Sequence, residues 1–243
     1  MQQHEFTTGQ IRPIECVREA FALIKPDYWL LFAISFLGAM IGGVSMYILI
    51  GAMICGIFKS YLRVIDGGRA TIDDLWLGFK YLGKSALVTI LFVVPIVVYI
   101  FALFFTIYMP LIVAAVGGKR VSEGEILASL GVALVVDLLI ALLMVSLHTL
   151  LLFSFPLIVD RDLSSIDSIK VSARAVRGNL GGVTGLIAVN FGLVIVGYAA
   201  FCVGLYLVIP ILTATSMVAY RKVFPRLGQL NLEPPLPASY QGL

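Results

Sequence analysis

The sequence predicts an all-α, polytopic membrane bundle: six transmembrane helices with three interfacial amphipathic helices on the cytoplasmic side. Three observations predict it. Hydrophobic residues make up 60% of the chain and charged residues 13%, whereas soluble domains carry about 25% charged residues. Apolar runs of about 20 residues recur along the chain, enough to cross a hydrocarbon core of roughly 30 Å. The runs are continuous rather than alternating, which fits helices and not barrel strands, and helices satisfy their own backbone groups in lipid.

Residues 1–10 are polar and are expected to be a frayed tail without a signal-peptide pattern. Residues 11–25 form an amphipathic helix closed by Pro26. The long apolar run 28–63 is interrupted at Gly42-Gly43 and reads as two short spans, 28–42 and 44–63, with one long tilted helix as the alternative. Asp66-Gly67-Gly68 marks a turn, and Thr71 with Asp74 three residues on marks a helix start. The third span covers 85–107 with a kink at Pro95. The fourth run covers 126–159. A short amphipathic segment over 161–178 precedes the fifth span, 180–202, and the sixth, 204–222. Residues 1–224 are thus one membrane domain. The segment 225–243, with Pro225, Pro234, Pro235 and Pro237, reads as an extended cytoplasmic tail.

Charge orients the chain. Of the 17 Lys and Arg residues, all but Lys119 and Arg120 fall in the tails or in the loops on one side. That bias predicts cytoplasmic N- and C-termini. It also favours two short spans over 28–63, because a single span would put Arg12, Arg18 and Lys25 on the far side.

Three segments share a pattern. Counted from Ile14, Ile72 and Ile166, each has an acid next: Glu15, Asp73, Asp167. Apolar or small residues follow at positions four, eight and eleven: Val17, Phe21, Ile24; Leu75, Phe79, Leu82; Ile169, Ala173, Val176. These positions share one helix face. The pattern suggests a threefold plan of surface helix plus span pair over 11–63, 69–159 and 163–222. Arg18, Lys25, Lys170, Arg174 and Arg177 lie where they reach anionic lipid headgroups with their stems buried. Ser165, Ser168, Ser172 and Ala175 form a small-residue strip suited to close helix approach.

The residues Asp74-Leu75-Trp76 with Gly78-Phe79, the run Phe155-Pro156-Leu157-Ile158-Val159-Asp160-Arg161-Asp162, and Ser172 with Arg177-Gly178-Asn179 carry a resemblance. The chain is similar to the membrane domain attached to some bacterial glycerophosphodiester phosphodiesterases and to YciC-like integral membrane proteins. The resemblance covers 11–107 and 150–224 and implies a six-span bacterial inner-membrane protein with no established reaction. It carries no catalysis, because the soluble phosphodiesterase domain is absent.

Candidate chemistry is sparse. Asp137 and His148 share a face of the fourth run, about 16 Å apart along the axis, and intramembrane ionisable groups are functional candidates. Asn190 in the fifth span suits helix–helix hydrogen bonding. Gly38 with Gly42, and Gly181 with Gly185, are small-xxx-small packing patterns. Thr213, Thr215 and Ser216 are expected to bond back to their own helix. Cys16, Cys55 and Cys202 show no pairing or metal spacing. No HExxH, GxSxG or phosphate loop occurs, so no cofactor, metal or catalytic residue is assigned. Basic residues interleave with membrane runs, which favours lipid headgroups over nucleic acid. Apolar character continues through 108–138 beyond what a bilayer needs, so that hairpin projects, tilts or re-enters; a projecting hairpin calls for a partner or a second copy. The expected role is that of a non-enzymatic inner-membrane scaffold, assembly or membrane-homeostasis factor contacting lipids and partner proteins. The alternative is a small-molecule or ion transporter or channel.

Overall fold

Polar breaks and helix-capping residues decide where each helix of this chain stops. The computed structural model describes residues 6–45, 47–117, 122–200 and 203–226. It is 85% helix, with no strand among the described residues. The helices are α1 (Pro13–Ile24), α2 (Tyr28–Val44), α3 (Ile50–Ile65), α4 (Asp73–Leu77), α5 (Leu82–Leu103), α6 (Met109–Val116), α7 (Glu123–Leu150), α8 (Ser154–Arg161), α9 (Ser165–Gly178), α10 (Leu180–Ala199) and α11 (Val203–Val223). Pro13 begins α1 at the position where a missing N–H costs nothing.

Five helical stretches are long and apolar enough to cross a membrane: Pro13–Val44, Asp73–Val113, Leu130–Arg161, Leu180–Ala199 and Gly204–Val223. The run 28–63 folds as two antiparallel helices, α2 and α3, not as one. At the turn Ser45 Oγ donates to Gly42 O (2.9 Å), and Leu49 N–H donates to Ser45 Oγ (3.2 Å). α3 has only 16 residues, about 24 Å of helix. It lies inside the bundle with Ala52, Met53, Cys55, Tyr61 and Leu62 buried.

The short helices pack in a cyclic order. α1 lies against α11 and α10; α4 and the tight turn after it lie against α3; α9 lies against α8, α7 and α5. Each therefore rests on the helices that precede it in the ring rather than only on those that follow. The face each turns inward only partly matches the one that apolar periodicity selects: Ile24, Leu75 and Val176 of that face are fully buried. Ile14, Phe21, Ile72, Phe79 and Ile166 are exposed, while Cys16, Ala20, Asp74, Gly78, Ser168 and Ser172 are buried. The third and seventh positions are inward as well, and small residues dominate them. Small side chains let backbones approach, which is what drives helix association where solvent is as apolar as the core.

Glycines mark the closest approaches. A Cβ on Gly78 would overlap the Ala52 carbonyl, and one on Gly56 would overlap the Leu75 carbonyl. α3 and the α4 turn are therefore in backbone contact. A Cβ on Gly38 would lie 2.8 Å from Ile57 Cδ1, and one on Gly42 would lie 3.2 Å from Ile50 Cγ1. At the second glycine pair, a Cβ on Gly185 would lie 2.8 Å from Pro13 Cγ, but one on Gly181 meets nothing within 4 Å. The second close approach belongs to Gly182, where a Cβ would lie 2.6 Å from Ile11 Cβ.

The N-terminal segment is not frayed where it is described. Thr7 N–H donates to Val223 O (2.9 Å), Gly9 N–H donates to Asn179 Oδ1 (2.8 Å), and Asn179 Nδ2 donates to Thr7 O (3.1 Å). Residues 1–5, Lys119, Arg120, Cys202 and 227–243 lie outside the described residues.

The region after Pro95 is a helical hairpin. α5 runs through a π turn at Phe104–Tyr108 into α6, and α7 returns antiparallel over 28 residues. α7 opens with a capping box in which Ser122 and Glu125 bond each other's backbone N–H groups. Those bonds hold the exposed Glu125 carboxyl below its usual pKa. Leu111, Ile112, Val113, Leu127, Val132 and Leu134 on this hairpin are exposed.

Gly78→Ala and Gly56→Ala each force backbone apart and should lower stability in detergent by about 1–3 kcal/mol. Gly181→Ala should lie within about 0.5 kcal/mol of wild type or slightly above it. Thermal unfolding of the three variants checks the contrast.

Candidate functional site

Three helix ends meet at one charged cluster. Asp66 caps α3, Asp160 lies near the end of α8, and Arg221 lies in the last turn of α11. Arg221 binds Asp160 through two nitrogens, each at 2.7 Å, and Asp66 at 2.8 and 3.0 Å. Tyr220 Oη donates to Asp160 Oδ2 (2.8 Å), and Arg226 Nε donates to Asp66 Oδ1 (2.9 Å). Arg161 Nε also lies 3.9 Å from Asp160 Oδ2, so three guanidiniums surround the two carboxylates. Bidentate guanidinium–carboxylate pairing is the strong form of this contact.

The residues of the Asp160-Arg161-Asp162 run each hold a different element. Asp160 takes Arg221. Arg161 donates to Pro225 O (3.0 Å) and lies over the Phe224 ring. Asp162 ends α8 in a left-handed conformation, φ 53°, and pairs with Lys84 at 2.8 Å. Its bond with the Lys84 ammonium holds the exposed carboxyl below the usual carboxylate range. A second charged pair joins α3 to α4: Arg63 contacts the fully buried Asp74 at 2.7 Å, while Thr71 donates to the other Asp74 oxygen at 3.0 Å.

A cavity of about 630 Å³ lies among the helices, within the size range of small-molecule sites of ~300–1,000 Å³. Every long helix reaches it: Ala39 from α2, Phe58 from α3, Phe92 from α5, Met144 from α7, Ile187 from α10 and Leu212 from α11. Its lining includes Phe155 of α8 and Met217 of α11, about a turn short of Asp160 and Arg221. The wall is almost entirely apolar. Its polar members are Ser35, His148, Thr149, Thr213 and Ser216.

Local backbone breaks place these groups. Pro95 lies inside α5 and lacks the N–H that would bond the Leu91 carbonyl, one residue before Phe92. His148 Nε2 lies 2.9 Å from Phe92 O, and Nδ1 lies 2.8 Å from Met144 O. The break between α7 and α8 at 151–153 is held by Ser172, whose Oγ donates to Leu150 O (2.7 Å) and accepts from Phe153 N–H (3.1 Å). The small-residue strip of α9 is therefore a packing surface, with Ser168, Ser172 and Ala175 buried.

The sequence-derived candidates do not converge. His148 borders the cavity. Asp137 is 6% exposed and sits instead against the π turn, 3.2 and 3.3 Å from Thr106 Oγ1. Asn190 Oδ1 is buried without a hydrogen-bond partner among the described residues, so the interhelical bond expected of it is not made there. Thr213, Thr215 and Ser216 donate to the carbonyls of Ile209, Ile211 and Leu212. Arg18, Lys25, Lys170, Arg174 and Arg177 are all exposed, and none forms an ion pair among the described residues. No group of three or more His, Cys, Asp or Glu side chains placed for a metal occurs among the described residues. Sequence reasoning missed the Asp66–Arg221–Asp160 cluster. The signal was there: Ser60–Asp66 and Ser154–Asp160 share a Ser, then an aromatic, then an Asp six residues after the Ser.

No family model, curated protein or solved structure matches the chain.

Ser172→Ala leaves a buried carbonyl and a buried N–H without their partner. It should cost about 1–3 kcal/mol. Ser168→Ala, whose hydroxyl bonds only Ser165 O of its own helix, should cost less than about 1 kcal/mol. Denaturant unfolding of the two variants checks the difference.

Proposed function

We propose that this protein is a non-enzymatic, multi-pass inner-membrane protein that holds lipid between its helices and gathers lipid and protein neighbours around it, as a scaffold or membrane-homeostasis factor. The cavity carries this reading. Its wall is almost entirely apolar, it is drawn from every long helix, and its Thr149, Thr213 and Ser216 hydroxyls donate to carbonyls of their own helices. In this reading α2, α3, α5, α7, α10 and α11 are six spans, α3 being the short inner one. α1, α4 and α9 rest on the cytoplasmic leaflet, and both termini are cytoplasmic. The exposed apolar residues of these short helices, such as Ile14, Phe21 and Trp76, enter the headgroup boundary. The exposed basic residues Arg18, Lys25, Lys170, Arg174 and Arg177, without an ion pair among the described residues, take anionic headgroups, each adding about 1 kcal/mol near the surface. The likeness to the membrane domains of bacterial phosphodiesterases and YciC-like proteins fits this reading and supplies no reaction.

A transporter is the second reading. Its support is His148, a titratable side chain at the cavity wall, on the same helix as Asp137.

Extraction into lipid-preserving polymer discs, followed by lipid analysis, tests the first reading. Retained lipid should be enriched in anionic species relative to the bulk membrane. Changing the five basic residues together to Gln should remove the enrichment and leave the thermal stability of the bundle unchanged. Retained lipid of bulk composition in the unaltered protein would contradict it. Proton-coupled flux in vesicles that Asp137→Asn or His148→Ala abolishes would favour the transporter.

A further inference from the structure

The polar atoms of the cavity wall are selective in what they leave free. Thr149 donates its hydroxyl proton to Val145 O (2.7 Å), Thr213 to Ile209 O (3.0 Å) and Ser216 to Leu212 O (3.0 Å). Ser35 pairs with the Tyr61 hydroxyl at 2.9 Å, and Tyr61 in turn reaches Leu31 O. Both ring nitrogens of His148 face backbone carbonyls. The N–H and O–H donors of these side chains are thus engaged by the protein. What remains is acceptor capacity on the Thr149, Thr213 and Ser216 oxygens, of which Thr213 also neighbours the Tyr61 hydroxyl, since a hydroxyl carries two lone pairs besides its proton. Around them the surface is aliphatic and aromatic.

We propose that the cavity binds a single-chain, membrane-dissolved molecule whose head carries a hydrogen-bond donor, a hydroxyl or an amide N–H. This rests on the reading that the cavity holds lipid, and narrows it to one class. An apolar chain fits the wall, and a donor head reaches the oxygens on α7 and α11. An acceptor-only head such as a sulfate or carboxylate meets lone pairs there and loses its water without replacement, which is costly in an apolar site. The charged cluster is no substitute for such a head, because Arg221 is already shared between Asp66 and Asp160. A site built to pair one polar group discriminates through the groups left unpaired by the wrong ligand.

The test uses the full-length protein in lipid nanodiscs with a photoreactive, diazirine-bearing hexadecanol. Labelling should map to 144–149 and 209–217. Unlabelled hexadecanol should compete about fivefold to tenfold better than hexadecane or hexadecyl sulfate, as one or two membrane hydrogen bonds allow. The triple change Thr149→Val, Thr213→Val and Ser216→Ala keeps the shape of the wall and removes all three acceptors. It should bring hexadecanol down to the level of hexadecane, with the melting temperature of the protein unchanged. Equal competition by all three compounds overturns the donor-head assignment and leaves the lipid-holding reading standing. Labelling confined to the outer surface of the bundle overturns both.

Discussion

Arg221 is the side chain on which the bundle depends most. It lies in the last turn of the last helix and reaches carboxylates at the ends of two others. The three residues are 13–26% exposed, so the charges are partly withdrawn from water. Removing one member of such a set leaves an uncompensated charge, which costs far more than the set contributes when intact. The cluster therefore fixes register more than it adds stability. Helices of this composition are apolar nearly all round, and apolar surface alone does not choose among rotations of a helix in lipid. An arginine that must meet two acids does choose.

Packing above the cluster follows from the same lack of a hydrophobic force between spans. The closest contacts occur where side chains are absent or small: Gly56 on the α4 turn, Gly182 on Ile11, Ser172 at the break between α7 and α8. The larger aromatic groups do not fill the space between the hairpins completely. Phe58, Phe92 and Phe155 stack edge to face, and the cavity remains beside them. An open, apolar volume thus lies at the meeting point of all the long helices. The cluster lies about a turn beyond it.

Much of this architecture was legible in the sequence, and the reasons differ by element. Helix boundaries near 63, 160, 178 and 224 could be read because polar and turn residues interrupt long apolar runs there. The division of 28–63 into two helices followed from charge placement rather than from propensity. The inner faces of α1, α4 and α9 were legible only in part. The small-residue strip of α9 marked its packing side, and Ile24, Leu75 and Val176 of the periodic face are buried. But Ile14, Phe21, Ile72, Phe79 and Ile166 point outward while Cys16, Ala20 and Gly78, unremarkable in composition, point inward. Asp66 read only as part of a turn, and Arg221 only as one count in a charge bias, because their pairing spans 155 positions. Asp137 and His148 were found as polar interruptions, but their partners, Thr106 and the Phe92 carbonyl, lie in a π turn and in the turn before Pro95 on the facing stretch. The cavity has no sequence signature at all, since every long helix supplies only a few of its residues.

The central claim is that the helix ends are joined through Arg221. A double-mutant cycle between Asp160→Asn and Arg221→Gln, read by reversible unfolding in mixed micelles, measures that joint directly. A coupling free energy of at least about 1 kcal/mol is expected, as for residues in one ion-pair network. Effects that add to within about 0.3 kcal/mol would mean that the two side chains act independently, and would contradict it.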